Sequence, residues 1–422
     1  MIRLLSAPWV LPGLEAPGGG VAAAPIPDGA VALDGDLVVE VGPAAELELR
    51  HGRAERVEAV LFPALVNAHL HLELSHLAGA VPGGEGLAPW IERFVKTRTA
   101  ADEAGLSAAQ PGPAMARAAQ DLVRFGVAAV GDVSNTLASL GPLAAAGLAG
   151  TIFHEVFGTV PARLATSREE ARRRREAAPP APGLRVVESP HAVYSTDEAG
   201  LLDLLRGPPA SIHLAEDPAE RQLLAEGGGP FNALRLRMGG APAIPGRARS
   251  ALALAAPHLG PGWLVVHCVD LDEEDLAALR RCGATVVLCP RSNAHISRAL
   301  PPLPALLAAG IPLAIGTDSL ASSPSLSPLA ELAALRAAFP GVAAARLLPL
   351  AWNGAAVGAP WVGRLAPGTA PGLLAAPLAV PPAGSPAAAR VADPFEFLAS
   401  GEGPAGRAVT WLTRPRPEVR AP

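Results

Sequence analysis

Most of the ten histidines in this 422-residue chain fall at comparable places, just after short apolar runs. His69-Leu70-His71 follows the run Leu61–Asn67, His213 lies in Ala210–Leu214, and Asp318 follows Pro312–Gly316. In extended backbone, positions i and i+2 face one side, so the two imidazoles of His69 and His71 point together. With His213 and Asp318 they form three neutral imidazoles and one carboxylate, a donor set that suits Zn²⁺ or Fe²⁺ and leaves a position for water. A histidine pair at this spacing is weak evidence on its own. Two further donors at the ends of separate runs make it a metal site, because four unrelated core groups would each need a partner of their own.

Glu216 stands three residues beyond His213 in Ser211-Ile-His-Leu-Ala-Glu216. A carboxylate there can take a proton from the bound water and pass it to a leaving nitrogen; the plainer reading is a helix-start acid favoured by the dipole. His267 ends the run Trp263–Val266 and is read as the group that orients the attacking oxygen and stabilises developing charge. A fifth metal ligand or a satisfied core histidine are its other readings. Asp318 serves both as metal ligand and as acceptor for the same water. His191, in Ser189-Pro-His-Ala-Val-Tyr194, is expected to face the substrate. Glu73 and His76 follow the first histidine pair, and Glu73 is placed to bind hydroxyl groups of a polar ligand. Asp132 is read as support for a metal histidine, and His154, beside Glu155, as support or core. The segment Cys289–Asn293 offers no obvious ligand, and His51, His258 and His295 are assigned to surface or structure.

Eight apolar runs must position these groups: Leu61–Asn67, Val127–Val133, Thr151–Val156, Leu184–Glu188, Ala210–Leu214, Trp263–Val266, Ala284–Leu288 and Pro312–Gly316. Between them lie helical stretches such as Ala114–Phe125, Ser167–Ala177, Asp197–Leu205, Asp272–Arg281 and Leu303–Ala309. Eight alternations of strand and helix predict an α/β fold, the (β/α)8 barrel, whose active sites sit at the C-terminal ends of the strands. The barrel is expected over 61–357. Before it, Val31–Leu33 and Leu37–Val41 flank Asp34-Gly35-Asp36 as a hairpin. After Gly358 the sequence turns to Gly, Pro and Ala, with β-like fragments near Gly372–Val380 and Ala408–Leu412 that are expected to complete the small N-terminal β unit. Segments 1–60 and 358–422 then form one composite β domain, and Pro381–Arg390 reads as a loop.

Half of the residues are apolar and 17% are charged, which is core-forming. The net charge of -5 comes with no basic stripe, so nucleic acid is not an expected partner. Arg172–Arg175 stands among Glu169, Glu170 and Glu176 and reads as a solvated helix face. Three cysteines, Cys268, Cys282 and Cys289, exclude a disulfide scaffold and a paired zinc module. No apolar run reaches the length of a membrane span, and the opening MIRLLSAPWVLPG is broken by prolines. A cytoplasmic protein without membrane contact is expected, with a small-molecule substrate and a homodimer as one option.

The ordered motifs PALVNAHLHLELSHL, SPHAVYST, HLAED, VVHCVDL, CPRSN and GTDSLASSPSLS resemble the amidohydrolase superfamily, in its mononuclear-metal branch of deaminases and triazine hydrolases. The resemblance covers about 61–360 well and the first 60 residues fairly well. It implies a barrel with a β-sandwich made from both chain ends, metal ligands at His69, His71, His213 and Asp318, Glu216 as proton shuttle and His267 as water-polarising group. Binuclear members bridge two metals with a lysine on the fourth barrel strand. Lys96, the only lysine, stands in the first strand–helix connection, so that arrangement is not available. The cytidine-deaminase pairing of H-x-E with P-C-x-x-C is also absent. Within the branch, the H-L-E-L-S stretch resembles the aminodeoxyfutalosine deaminases of the futalosine route to menaquinone. By that resemblance Glu73 binds ribose hydroxyls, His191 binds the base, and Arg93 or Arg98 is a candidate for a substrate carboxylate. Deaminases of S-adenosylhomocysteine or adenosine, guanine, cytosine or pterin, and triazine chlorohydrolases, share the site. A silent barrel scaffold would have lost a ligand or Glu216, and all are present. One departure is the tail Ala366-Pro-Gly-Thr-Ala-Pro-Gly-Leu-Leu, which replaces a Gly-Lys-x-Ala-Asp-Leu segment and touches the β domain only.

Overall fold

Strands β1 (Ile2–Val10), β2 (Ile26–Asp34), β3 (Leu37–Pro43), β4 (Glu55–Arg56) and β5 (Ala59–Pro63) open the chain. The computed structural model describes residues 2–103, 111–378, 391–400 and 409–416; the loop expected at Pro381–Arg390 lies outside them. β2 and β3 are the predicted hairpin, with Asp34 opposite Leu37 and Gly35 at φ +61° in the turn.

Barrel strand β6 (Leu65–Leu70) follows β5 after a single residue. The run read as one strand, Leu61–Asn67, therefore holds two. Pro63 has no N–H to continue a ladder. The N–H of Ala64 still bonds Gly372 of the end sheet, while that of Leu65 already bonds Gly126 beside the barrel. The apolar character is continuous because both sheets bury their side chains here.

The remaining barrel strands are β7 (Val127–Ser134), β8 (Ala149–Val156), β9 (Leu184–Pro190), β10 (Ser211–Leu214), β11 (Leu264–His267), β12 (Thr285–Leu288) and β13 (Leu313–Ile315). They form two all-parallel half-barrels, β6-β7-β8-β9 and β10-β11-β12-β13. At one seam the N–H of His213 bonds the carbonyl of His191 at 2.9 Å. At the other, Thr317 and Asp318 donate to the carbonyl of His69 at 2.9 and 3.0 Å. Gly316 makes this second closure possible, since a Cβ there would lie 2.7 Å from the Cβ of His69. The interior behind the strands is one large apolar core, as continuous runs in parallel strands require.

Helices Pro111–Arg124, Pro161–Ala177, Glu198–Leu205, Glu273–Cys282 and Leu303–Ala308 lie where the sequence placed them. The fourth shows why: Asp272 and Asp275 form a reciprocal capping box, and Gly283 at φ +70° ends the helix. On the second, Arg172 pairs with Glu169 and Glu176, and Arg173 with Glu169, a solvated charged face.

The chain then returns to its start. β14 (Leu373–Pro377) pairs with β5, and β15 (Thr410–Thr413) pairs with β14, giving the order β15-β14-β5-β1-β2-β3 with β4 on β1. The small β domain thus draws strands from both chain ends, as one seven-stranded sheet. Its side chains alternate with period two. Leu61, Leu373 and Ala375 pack with Leu5 and Val31, whereas Val60, Phe62, Leu374 and Ala376 join the barrel core. Helix Ala44–His51 covers Leu4, Ala30 and Ala32 through Leu47. No helix among the described residues is long and apolar enough to cross a membrane.

Candidate active site

The two seams of the barrel carry the predicted ligands. His69 sits in β6 and His71 immediately after it, His213 in β10, and Asp318 three residues past β13. Four imidazoles crowd together: ring centroids lie 4.9 Å apart for His69–His71 and His69–His213, 5.5 Å for His71–His213 and 5.7 Å for His69–His267. Nε2 of His71 is 3.4 Å from Nε2 of His213 and 3.5 Å from Oδ1 of Asp318. His69 is fully buried, and neither of its ring nitrogens has a hydrogen-bond partner. Burial, then the neighbouring rings, hold its pKa well below the ordinary histidine value. Burial likewise lowers His213 to about 3. His69 and His71 bring Nε2 to 3.9 and 3.5 Å from Oδ1 of Asp318, and buried ring nitrogens left without hydrogen-bond partners are unfavourable unless a cation joins them. The residues present therefore fit a divalent metal.

Backbone strain marks the same places. Ala215, His267, Cys268 and Asp318 all have positive φ, at +53°, +77°, +50° and +60°. Left-handed backbone at non-glycine residues persists only where the surroundings impose it. Here it turns the chain sharply at the exits of β10, β11 and β13, and so aims Glu216, His267 and Asp318 at one volume.

Oε2 of Glu216 lies 3.4 Å from Nε2 of His267. Glu216 is held well above the ordinary carboxyl pKa by burial first, then by Asp318, Glu220 and Asp217. Burial lowers His267 to about 4 against the opposing pull of Asp318. Burial alone would raise Asp318, but His71, His267 and a hydrogen bond from Ser292 outweigh it and hold the carboxyl below its ordinary value. Burial thus raises the proton affinity of the Glu216 carboxylate and keeps the neighbouring imidazole neutral, which suits a group that takes up a proton and gives it back.

Several positions that hold this arrangement were not legible in the sequence. Both oxygens of buried Glu220 accept backbone N–H groups, from Ala215 at 3.0 Å and Glu216 at 2.8 Å, and fix the strained turn. Ser292 donates to Asp318 Oδ2 at 2.6 Å, and Asn293 holds Nδ1 of His267 at 3.1 Å. These two residues give the seventh strand end its role, although it supplies no ligand. Their only signal is position, polar residues where the other ends carry function. Asp132 supports His71 indirectly: Oδ1 accepts the N–H of Leu72 at 2.9 Å, and burial pushes its carboxyl up to about 8.

A cavity of about 470 Å³ opens over His71, His213, Glu216, His267 and Asp318. His191 lines it, with Nδ1 against Ser195 Oγ at 2.5 Å. Glu155 lines it too, 3.6 Å from His213. Neighbouring strand residues point to opposite faces, so His154 turns away and meets the carbonyl of Asn135 at 3.2 Å. Glu73 stands apart from these groups. Its carboxylate does not line the cavity but accepts from Ser134 at 2.5 Å, Asn135 at 3.0 Å and Thr136 and Ala138 of the loop after β7. Five donors within one turn outcompete an open cavity for a carboxylate. His76 contacts the carbonyl of Glu73, His51 pairs with Glu40, and His295 meets the carbonyl of Val81, all outside the cavity. Of the candidate arginines, Arg98 lines the cavity and Arg93 does not.

A sequence model of the amidohydrolase family matches residues 60–400. The chain belongs to the amidohydrolase family. Among the relatives of this amidohydrolase is the aminodeoxyfutalosine deaminase of Deinococcus radiodurans, 32% identical over 76% of this chain and 79% of that protein. The 5-methylthioadenosine/S-adenosylhomocysteine deaminase of Nitratidesulfovibrio vulgaris is 30% identical over 81% of this chain and 78% of that protein. Among solved structures, Helicobacter pylori aminofutalosine deaminase in complex with methylthio-coformycin matches with a TM-score of 0.75 at 22% identity, over 90% of this chain and 93% of that one. The Xanthomonas campestris adenosine deaminase with bound zinc matches with a TM-score of 0.72, also at 22% identity, over 98% and 92%. The amidohydrolase barrel and its end domain are thereby shown, and the protein is a hydrolase acting on carbon–nitrogen bonds.

Proposed function

We propose that this amidohydrolase is a hydrolytic deaminase of an aminated purine nucleoside, with 6-amino-6-deoxyfutalosine as substrate and the futalosine route to menaquinone as its setting. The observation that carries the chemistry is the pair Glu216–His267, 3.4 Å apart beside the neighbouring groups His69, His71, His213 and Asp318. The substrate rests on the relative at 32% identity. We assign the four-residue cluster to one divalent metal, zinc by analogy with the zinc-bound structural neighbour, with iron an acceptable substitute for the same donors. A cytoplasmic location goes with this reading.

A metal bound there supplies Lewis acidity and brings a water near neutral pKa. The chain's own groups do the rest. Glu216 takes the proton of the attacking water and delivers it to the ring nitrogen beside the attacked carbon. His267, held by Asn293, donates toward the oxygen that adds. Asp318, kept anionic by the facing histidines and Ser292, accepts from that same oxygen. Glu216 then passes a proton to the amino group, which leaves as ammonia. His191 lies at the side of the cavity, where it can meet the base.

The second reading keeps this machinery and changes the 5′ group, because a 5-methylthioadenosine/S-adenosylhomocysteine deaminase is 30% identical. Ammonia release against aminodeoxyfutalosine, S-adenosylhomocysteine, 5-methylthioadenosine, adenosine, guanine and cytosine decides between them. Turnover concentrated on the first supports the proposal. Preference for another nucleoside replaces the substrate, and no ammonia from any refutes deamination of these rings.

A further inference from the structure

Tyr194, the only tyrosine in the chain, belongs to the wall of the cavity and is held there from two sides. It stands four residues past the end of β9 and is 5% exposed. Its ring lies parallel to that of Phe231, with centroids 4.1 Å apart and 3° between the planes, and meets His191 edge-on at 5.5 Å. Phe231 stands on helix Gly229–Arg237, and Arg235 follows it one turn later on the same helix. The guanidinium of Arg235 donates to the carbonyl of Tyr194 at 3.0 Å, to that of Thr196 at 3.4 Å and to those of Val193 and Thr159 at 3.5 Å. One helix thus fixes the ring of Tyr194 by stacking and its backbone by a charged donor.

The hydroxyl at the end of this fixed ring has no hydrogen-bond partner among the described residues. It is not one of the polar groups sealed inside the protein, so it opens to the cavity that Tyr194 lines with His191, His213 and Glu216. A buried tyrosine O–H ordinarily finds a partner. Phenylalanine would keep the stack on Phe231 without the cost of an unpaired donor, so the hydroxyl is of use only to something that enters the cavity. Burial, then Glu216, Glu220, Glu155 and Asp318, hold the phenol well above its ordinary pKa, and it stays a donor at neutral pH. A purine nucleoside has acceptors for such a donor. The proton path of Glu216 uses the ring nitrogen beside the attacked carbon, and N9 carries the sugar, which leaves N3 and N7.

We infer that Tyr194 is a specificity residue whose hydroxyl donates a hydrogen bond to an acceptor nitrogen of the bound purine, N3 or N7. The inference rests on reading the site as a purine nucleoside deaminase. A ring that carries C–H at that place leaves the buried hydroxyl unpaired and is rejected for that reason. Phe231 and Arg235 act through Tyr194 as positioning residues, since they fix where the donor stands and touch the ring of the substrate only by way of it.

The test uses the metal-loaded enzyme with 5′-methylthioadenosine and its 3-deaza and 7-deaza analogues, each of which puts C–H in place of one acceptor. Ammonia release is measured for the wild type and Tyr194→Phe, a substitution that keeps the ring and the stack. Binding of all three nucleosides is measured by calorimetry in a Glu216→Gln background, with and without Tyr194→Phe. The expected result is that Tyr194→Phe weakens the parent nucleoside about five- to hundredfold, the worth of a buried acceptor left unpaired. On the analogue that lacks the acceptor the same substitution changes binding by less than about twofold, and on the other it costs as much as on the parent, which names N3 or N7. The ligand-free melting temperature of Tyr194→Phe equals or exceeds that of the wild type, because the hydroxyl has no partner in the empty fold. A loss under about twofold on the parent, any other pattern across the analogues (equal loss on all three included), a lower melting temperature, or no binding of any of the three overturns the inference. If the protein releases ammonia neither from the parent nor from aminodeoxyfutalosine, the deaminase reading fails, and the dissociation constants then decide the role of Tyr194 by the same criteria.

Discussion

Removing the Glu220 carboxylate should damage both stability and turnover while leaving the metal donors intact. Glu220 is 1% exposed and its two oxygens accept the N–H groups of Ala215 and Glu216 at 3.0 and 2.8 Å. Ala215 stands at φ +53°, so these bonds hold a turn the backbone would not choose. Glu220→Ala leaves two buried donors unpaired, at about 1–3 kcal/mol each, or about 2–6 kcal/mol in all. Glu220→Gln keeps one acceptor and should cost about half of that. In both variants Glu216 loses its aim, and a displacement on the order of 1 Å lowers kcat by about tenfold to a hundredfold. The effect on stability also depends on pH. Burial, with Asp217 adding to it, pushes the Glu220 carboxyl from 4.5 up to about 8, against the hydrogen bonds that lower it. The folded state therefore keeps a proton that the unfolded chain has already released. This contribution is fully present below pH 4.5 and is lost as pH rises to about 8. Gln does not titrate, so the gap in melting temperature between wild type and Glu220→Gln should narrow from about pH 5 to about pH 8. Thermal melts across that range, with metal content and kcat for each variant, are the assay. A constant gap would refute the buried-acid account, and unchanged kcat in Glu220→Ala would refute the positioning role.

Two further outcomes follow from the site itself. Glu216→Gln should bind metal as the wild type does and lose about 10²–10⁴ in kcat; retained turnover with full metal would remove Glu216 from the proton path. On the proposed metal assignment, a chelator should lower the melting temperature, because the crowded groups His69, His71, His213 and Asp318 are then left without a cation. Adding Zn²⁺ at a thousandfold excess over its dissociation constant should restore about 4 kcal/mol, and equal melting of stripped and reloaded protein would argue against the cluster as a metal site.

The barrel and the polar strand ends that meet inside it were legible because both rest on local pattern. A parallel strand buried on both faces must be apolar throughout, so a histidine or aspartate at its C-terminal end stands out. His69, His71, His213, His267 and Asp318 were readable for that reason, and the structure brings them together. What pairs with what across the barrel leaves no such mark. Glu220 looks in sequence like any acid in a first helical turn, and only the fold shows its oxygens turned back onto Ala215 and Glu216. Glu73 looked available to a ligand because the loop after β7, some sixty residues away, supplies the donors that take it. The break at Pro63–Ala64 was hidden because both sheets bury their strands, and hydrophobicity cannot say which sheet a residue belongs to.

The sheet that joins the two chain ends has a consequence for synthesis. β5 is flanked by β1 on one side and β14 on the other, and Pro63 pairs with Leu373, 310 positions later. At roughly 5–20 residues per second a ribosome needs on the order of 15–60 s to supply the missing neighbour. For that interval the nascent N-terminal strands, Ala59–Pro63 included, present an unpaired apolar edge, while the whole barrel emerges behind them. A chain halted before Leu373 would hold every proposed metal donor and the proposed proton shuttle Glu216, yet it would lack the strand that pairs with β5 in its first sheet. Such truncated products should be captured by chaperones or aggregate through that edge, even though their barrel sequence is complete.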